Sequence, residues 1–272
     1  MRLLFFLWAL QGFAAFNLTW GTPAINLDTN PPLGDADSNA TLAIDPKGNA
    51  VASWSRTVGN SASEDIWVAV FNHSQRVWTG AVKISGGGSS ANSQVAIDRF
   101  GNAIIVWEEG FPTQIKYRTL STRGVWVPDL SMPPNNVHTS INAQTFPQIA
   151  IDASQKAVVL WMEYFGRKEH IFSAVKPHEM SWVPYGELSK GNQSAKLIPK
   201  NSLAVSFSAG VAMAAWEEFN EASKQTEIYA ARFMENSWTG PLTISTQNGK
   251  GPAVAIDPSG NCLLYTSDAA DE

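Results

Sequence analysis

The sequence predicts an all-β fold, a ring of four-stranded antiparallel sheets. Three observations carry that expectation. A unit of about 54 residues recurs along the chain; each unit holds four short runs rich in Val, Ile, Ala and aromatic residues; and clusters of Gly, Asn, Ser and Pro separate the runs. Trp54, Trp107, Trp161 and Trp216 mark the period, at spacings of 53, 54 and 55 residues. No run carries a 3.6-residue apolar stripe of helical length, so the periodicity is that of strands at regular spacing.

The first run of each unit, strand A, reads Leu42-Ala43-Ile44-Asp45, Val95-Ala96-Ile97-Asp98, Ile149-Ala150-Ile151-Asp152, Leu203-Ala204-Val205-Ser206 and Val254-Ala255-Ile256-Asp257. Successive apolar positions predict a strand covered on both faces, and the recurrent middle Ala predicts a crowded position. Asp45-Pro46-Lys47-Gly48 then fits a type I turn, with Asp at i, Pro at i+1 and Gly at i+3. Gln155 stands where that Gly belongs in the third unit, and the fourth unit has Ser206 and one extra residue, so both turns are expected to be looser. Strand B carries the period-marking Trp. Strand C opens on Ile66, Ile115, Ile171 and Ile228. Strand D runs from Trp78 to Ile84-Ser85, Trp126 to Leu130-Ser131, Trp182 to Leu188-Ser189 and Trp238 to Ile244-Ser245.

Four-stranded antiparallel units packed face to face in a ring make a β-propeller. The units lie near residues 41–85, 94–131, 147–189 and 202–245, with a partial fifth at 252–261: four full blades and a fragment. Trp20-Gly21-Thr22-Pro23 matches the D-strand opening Trp238-Thr239-Gly240-Pro241, yet precedes the first A strand. The expected role is an N-terminal ring-closing strand that completes the last blade and hides its edge.

Both ends need separate treatment. Residues 1–15 place Arg2 before an apolar run that ends in Gly12, Ala14 and Ala15, the layout of a secretory signal peptide, so a secreted, periplasmic or cell-surface location is expected. No later run is apolar and long enough for a transmembrane segment. Residues 262–272, Cys262-Leu263-Leu264-Tyr265-Thr266-Ser267-Asp268-Ala269-Ala270-Asp271-Glu272, resemble the conceptual translation of a sequencing adapter and are expected to be an artefact. The rest of the chain has no cysteine, hence no disulfide framework and no thiol nucleophile. A hydrophobic share of 44% supports a sizeable core, and a net charge of −5 without a basic block argues against a nucleic-acid partner.

The repeat resembles that of secreted bacterial β-propeller proteins with tandem Ala-Ile-Asp-x-x-Gly-Asn-Ala-Val-x-x-Trp units. The resemblance covers residues 20–261 and implies a propeller fold and export. It is distantly similar to the Asp-box of sialidases, but Gly48 and Gly101 stand six residues before their Trp, where that box has three. Fold alone does not supply function.

In an up-and-down blade the B–C and D–A connections share one face, and here they are the long ones, for example residues 86–93, 132–146 and 190–201. Ligands favour such loops on a rigid scaffold. Glu108, Glu109, Glu163, Glu217 and Glu218 follow the strand-B Trp in three units, so ring symmetry would gather them at one mouth. Two readings compete: solvated strand ends, or a polar pocket for a sugar or cation. Tyr164 and Phe111 add candidate stacking surfaces on the same face. Arg56, Arg118, Arg167 and Arg232 are scattered with no sign of a triad, and Arg118 and Arg232 are expected to face outward. His73, His138, His170 and His178 lack metal-ligand spacing, and no Gly-x-Ser-x-Gly occurs. The main functional expectation is therefore a binding protein for a glycan or protein ligand, with no catalytic residues, cofactor or metal. The alternative is a sialidase-like or other glycoside hydrolase using loop-face carboxylates such as Glu109, Glu163 or Glu218.

Overall fold

A computed structural model describes residues 36–57, 59, 63–165, 168–189, 203–220, 222–245 and 249–267. The expected signal peptide, the Trp20-led strand and the loop at 190–202 lie outside the described residues.

The chain is an all-β propeller of four-stranded antiparallel blades. Blade 1 comprises β1 (Ala36–Ile44), β2 (Ala50–Thr57), β3 (Glu64–Asn72) and a divided outer strand, β4 (Val77–Trp78) and β5 (Val82–Lys83). Blade 2 comprises β6 (Ser90–Ile97), β7 (Ala103–Glu109), β8 (Gln114–Leu120) and an outer strand split into β9 (Trp126–Val127) and β10 (Asn135–Asn136). Blade 3 holds β11 (Gln144–Ile151), β12 (Ala157–Phe165), β13 (Lys168–Lys176) and β14 (Val183–Glu187). Blade 4 holds β15 (Leu203–Ser208), β16 (Val211–Asn220), β17 (Gln225–Met234) and β18 (Ser237–Ser245). A hairpin follows, β19 (Lys250–Ile256) and β20 (Cys262–Ser267), whose second strand is drawn from the adapter-like residues and exposes Leu263 and Tyr265.

The core lies between blades. Ile66, Val68 and Ile84 of blade 1 pack with Ile105 and Trp107 of blade 2; Val106 and Ile115 of blade 2 pack with Trp161 of blade 3; Leu160 and Met162 of blade 3 pack with Trp216 of blade 4. In blades 2, 3 and 4 the repeated Trp is therefore the wedge driven into the blade before, whereas Trp54 packs with Ala52, Ala69, Trp67 and Trp78 of its own blade. Two-sided burial belongs to the second strand rather than to strand A: β7 is buried at every residue, whereas β1 and β6 are part-exposed. Strand B has a neighbour on each side in its own sheet and a blade against each face; strand A borders the open axis.

The A–B turns show why the unit spells Asp-x-x-Gly-Asn. Asp45 Oδ1 accepts the Lys47 and Asn49 backbone N–H groups at 2.8 Å, and its Oδ2 accepts the Asn49 amide at 2.8 Å. The Asn49 side-chain Oδ1 in turn accepts the His73 N–H at 3.1 Å, which ties the A–B turn to the C–D turn; Asn102 Oδ1 does the same for Thr122. The turns expected to be looser are not. Gln155 adopts the left-handed φ of 66° that Gly101 has at 95°, the Asp152–Lys156 bond persists at 2.9 Å, and the Gln155 side chain donates to Asp98 in blade 2. In blade 4 the strands pair as far as Ser208 and Val211, leaving a two-residue turn at Ala209 and Gly210, both at positive φ.

Burial pushes the Asp98 carboxyl up, but donors from Gln155, Asn102 and Phe100 outweigh it and hold the group below its ordinary value of 3.8. A carboxyl depressed in the folded state adds stability above its unfolded pKa, and that stability is lost as pH falls through the folded value. Thermal melts from neutral pH to about pH 2 should show a Tm falling below pH 3.8, and Asp98→Asn should lower Tm near neutrality and flatten that acid limb. An acid limb identical in both proteins would contradict the assignment.

Blade 2 departs from two further expectations, for its D-strand ending and for Arg118 on strand C. The Ser85 and Ser189 hydroxyls accept the Ile66 and Ile171 N–H groups at 3.2 Å, which explains the recurrent Ile/Leu-Ser ending. Ser131 makes no such bond. The chain leaves the sheet after β9 and returns at β10, and Val137 takes the place of Ile84 and Leu188 on the strand-C Ile carbonyl. Blade 2 thus extends past residue 131. The excursion is gathered by Arg118, which is 1% exposed and not outward-facing. It donates to the carbonyls of Ile84 at 2.8 Å, Pro128 at 2.8 Å, Asp129 at 2.8 Å and Met132 at 2.6 Å.

Candidate axial site

The five candidate glutamates are 1–9% exposed, so they are not solvated strand ends, and the structure divides them into two sets. Alternation along strand B explains the division: the residue two after each Trp shares its face, and the residue one after it points to the next blade. Glu109, Glu163 and Glu218 accept their own blade's indole N–H, from Trp107 at 2.7 Å, Trp161 at 3.2 Å and Trp216 at 2.8 Å. Glu109 also takes the Gly86 N–H at 3.1 Å, and Glu163 takes the Ser140 hydroxyl and the Asn142 and Gln144 amides. These three carboxylates fasten the wedge and the loop above it. In blade 1 Arg56 holds the same position, stacked 4.3 Å over Trp67 and bonded to Asp37 at 3.0 Å.

Glu108 and Glu217 form the other set. Glu108 Oε1 accepts the Phe146 N–H of blade 3 at 2.7 Å and the Asn92 side-chain amide at 2.7 Å. Glu217 Oε1 accepts the Gly251 N–H of the following hairpin at 2.6 Å, and its Oε2, buried, has no hydrogen-bond partner among the described residues. Blades 1 and 3 carry Ser55 and Met162 there. Each glutamate therefore grips the inner strand of its neighbour at the wall of a cavity.

That cavity lies on the axis. It encloses about 630 Å³ and is walled by residues 39–41, 92–94, 146–148 and 251–253, three consecutive residues from each of four inner strands. Each triplet opens on a left-handed residue: Asn39 (φ 53°), Asn92 (φ 51°), Phe146 (φ 52°) and Gly251 (φ 58°). A ladder register shift brackets each one. Such bulges re-aim an inner strand. The twelve wall residues include no ionisable side chain. Their Asn, Gln, Ser and Thr groups offer donors and acceptors, and the volume falls in the small-ligand range of roughly 300–1,000 Å³. Thr41, Ser53 and Ser93 form a hydroxyl chain across blades 1 and 2, at 2.8 and 2.9 Å.

The remaining candidates stand apart from this wall. Phe111 is fully exposed at a B–C turn. Tyr164 is half-buried, and burial together with the nearby Glu169 charge raises its pKa. Sequence reasoning passed over the cavity wall although a signal was present: Asn39, Asn92, Phe146 and Gly251 all stand three residues before the recurrent Leu/Ile/Val-Ala-Ile. Among the described residues no three His, Cys, Asp or Glu side chains cluster as a metal site.

The chain shares its fold with glycan-processing enzymes. It superposes on an α-L-arabinofuranosidase of Fusarium graminearum solved with arabinobiose (TM-score 0.57, 11% identity, 88% of this chain and 77% of that one). It also superposes on the polysaccharide lyase Uly1 (TM-score 0.50, 10% identity, 85% and 54%) and on an α-L-arabinanase of Penicillium chrysogenum (TM-score 0.48, 11% identity, 86% and 76%). No protein-family model matches the sequence, and no curated protein matches it. The likenesses to the arabinofuranosidase and the lyase count against the main functional expectation, a binding protein without catalytic residues, and leave its alternative, a glycoside hydrolase, as the reading to pursue.

Proposed function

We propose that this chain is a glycoside hydrolase that takes a neutral glycan at the axial cavity, with Glu108 and Glu217, held just behind the wall residues they bond to, as its carboxyl pair. The observation that carries the reading is Glu217: 5% exposed, one oxygen fixed by the Gly251 N–H at 2.6 Å, and the other without a partner among the described residues. A buried polar atom left unpaired beside a cavity calls for an explanation. Glycosidic cleavage needs two carboxyl groups. One, protonated, donates to the leaving oxygen; the other, ionised, takes a proton from the attacking water or attacks the anomeric carbon itself. Glu108 and Glu217 occupy equivalent positions two blades apart, each bonded to backbone that forms the wall. The uncharged wall suits a polyhydroxylated ligand.

Arabinan and arabinobiose are the first substrates to test, given the arabinofuranosidase and arabinanase with this fold. The apolar leader at residues 1–15 supports action outside the cytoplasm, and no helix of the described residues is long and apolar enough to cross a membrane. Glu217→Gln and Glu108→Gln keep an oxygen for the backbone N–H but cannot exchange a proton. Each should lower kcat on arabinan by about 10²–10⁴ with an unchanged circular dichroism spectrum. Wild-type kcat in both variants would refute the pair.

A further inference from the structure

Resting on the reading of the axial cavity as a glycan site, we propose that Phe146 is the platform on which a sugar ring stacks there. The left-handed position that opens each wall triplet suits Asn and Gly, which tolerate positive φ. Three inner strands comply, with Asn39, Asn92 and Gly251. The third strand places a phenylalanine at φ 52°. A bulky side chain is a true outlier in that region, and such strain persists where the surrounding structure holds it and a function uses it.

What holds it is visible. The Phe146 N–H is fixed by Glu108 at 2.7 Å, Pro147 follows and is buried, and the ring packs against the core between blades 3 and 4. Packing alone does not account for the choice, because Phe146 is only part-buried against that core and also lines the cavity. It is the one aromatic residue in a wall otherwise made of Asn, Gln, Ser, Thr, Ala, Pro and Gly. A sugar presents hydroxyls at its rim and C–H groups on its face. The wall supplies partners for the rim, and Phe146 supplies the single flat apolar surface for the face. Glu108 bonds to the same residue, so the platform and one carboxylate are registered to each other by a single hydrogen bond.

The test compares wild-type protein with Phe146→Asn, the residue used at this position by two sister strands, and with Phe146→Tyr, which keeps the ring. Tm, Kd for arabinobiose by calorimetry, and kcat and KM on arabinan are measured for each. The Asn variant keeps the backbone N–H for Glu108. It should melt within about 4 °C of wild type, since lost packing is offset by relieved strain, and should raise KM and Kd about tenfold, beyond any change in kcat. The Tyr variant should restore affinity to within about threefold. A Tm loss above about 4 °C in the Asn variant, or wild-type KM and Kd despite the missing ring, overturns the platform alone. Wild-type protein that neither binds arabinobiose nor cleaves arabinan overturns the parent reading and the platform with it.

Discussion

Arg118→Met is expected to destabilise the protein by about 3–5 kcal/mol. The guanidinium is 1% exposed, and burial lowers its pKa while the charges of Glu109 and Asp129 raise it. Its four bonds end on carbonyl oxygens: one from blade 1, and three from the 128–132 excursion that interrupts the outer strand of blade 2. Methionine fills much of the volume but leaves those acceptors without donors, each costing on the order of 1–3 kcal/mol if it stays buried. The loss has a location as well as a size. Residues 128–134 should become the first segment cut by a protease in the variant, and limited digestion with mass mapping checks this. An intact segment and a midpoint shift in urea below about 1 kcal/mol would show that the carbonyls find other donors.

Trp107→Ala should cost about as much, roughly 3–5 kcal/mol. The indole is fully buried between blades 1 and 2 and is one of the largest side chains in the core. Its removal leaves a cavity and also strips Glu109 of its 2.7 Å donor. Trp107→Phe separates the two effects: the ring remains, the N–H goes, and the cost should fall to about 1–3 kcal/mol. Because Arg118 and Trp107 both act on Glu109, the double variant should be less destabilised than the two single losses added together. Urea unfolding of the two single variants and the double reads this directly, and strict additivity would show that Glu109 does not connect them.

Much of the architecture is legible in the sequence because each unit writes its own boundaries. The Asp-x-x-Gly-Asn turn, the interface Trp and the D-strand Ser all have local chemical reasons, and each recurs in register. Readings fail where one unit solves a shared problem differently. Gln155 keeps the turn by accepting a left-handed backbone and reaching to Asp98. Blade 2 replaces a short D strand with an excursion that only a buried arginine can gather, and nothing local to Arg118 announces that its partners lie at residues 84 and 128–132. The candidate glutamates are legible as a recurrent pair of positions. Their division into indole acceptors and wall supports is not, because it depends on which face of strand B meets which blade.

Four of the five inner strands, those of blades 1, 2 and 3 and of the following hairpin, bend inward at the same place yet present Asn, Asn, Phe and Gly. A circle of identical walls would offer an elongated guest several rotated poses of equal energy, and any chemistry at the hub would be shared among them. Here the rotational degeneracy is broken. One sector is flat and greasy, two carry amides and one is bare backbone, while anionic support stands behind only two of the four. A molecule built by copying one unit thereby gains a front and a back.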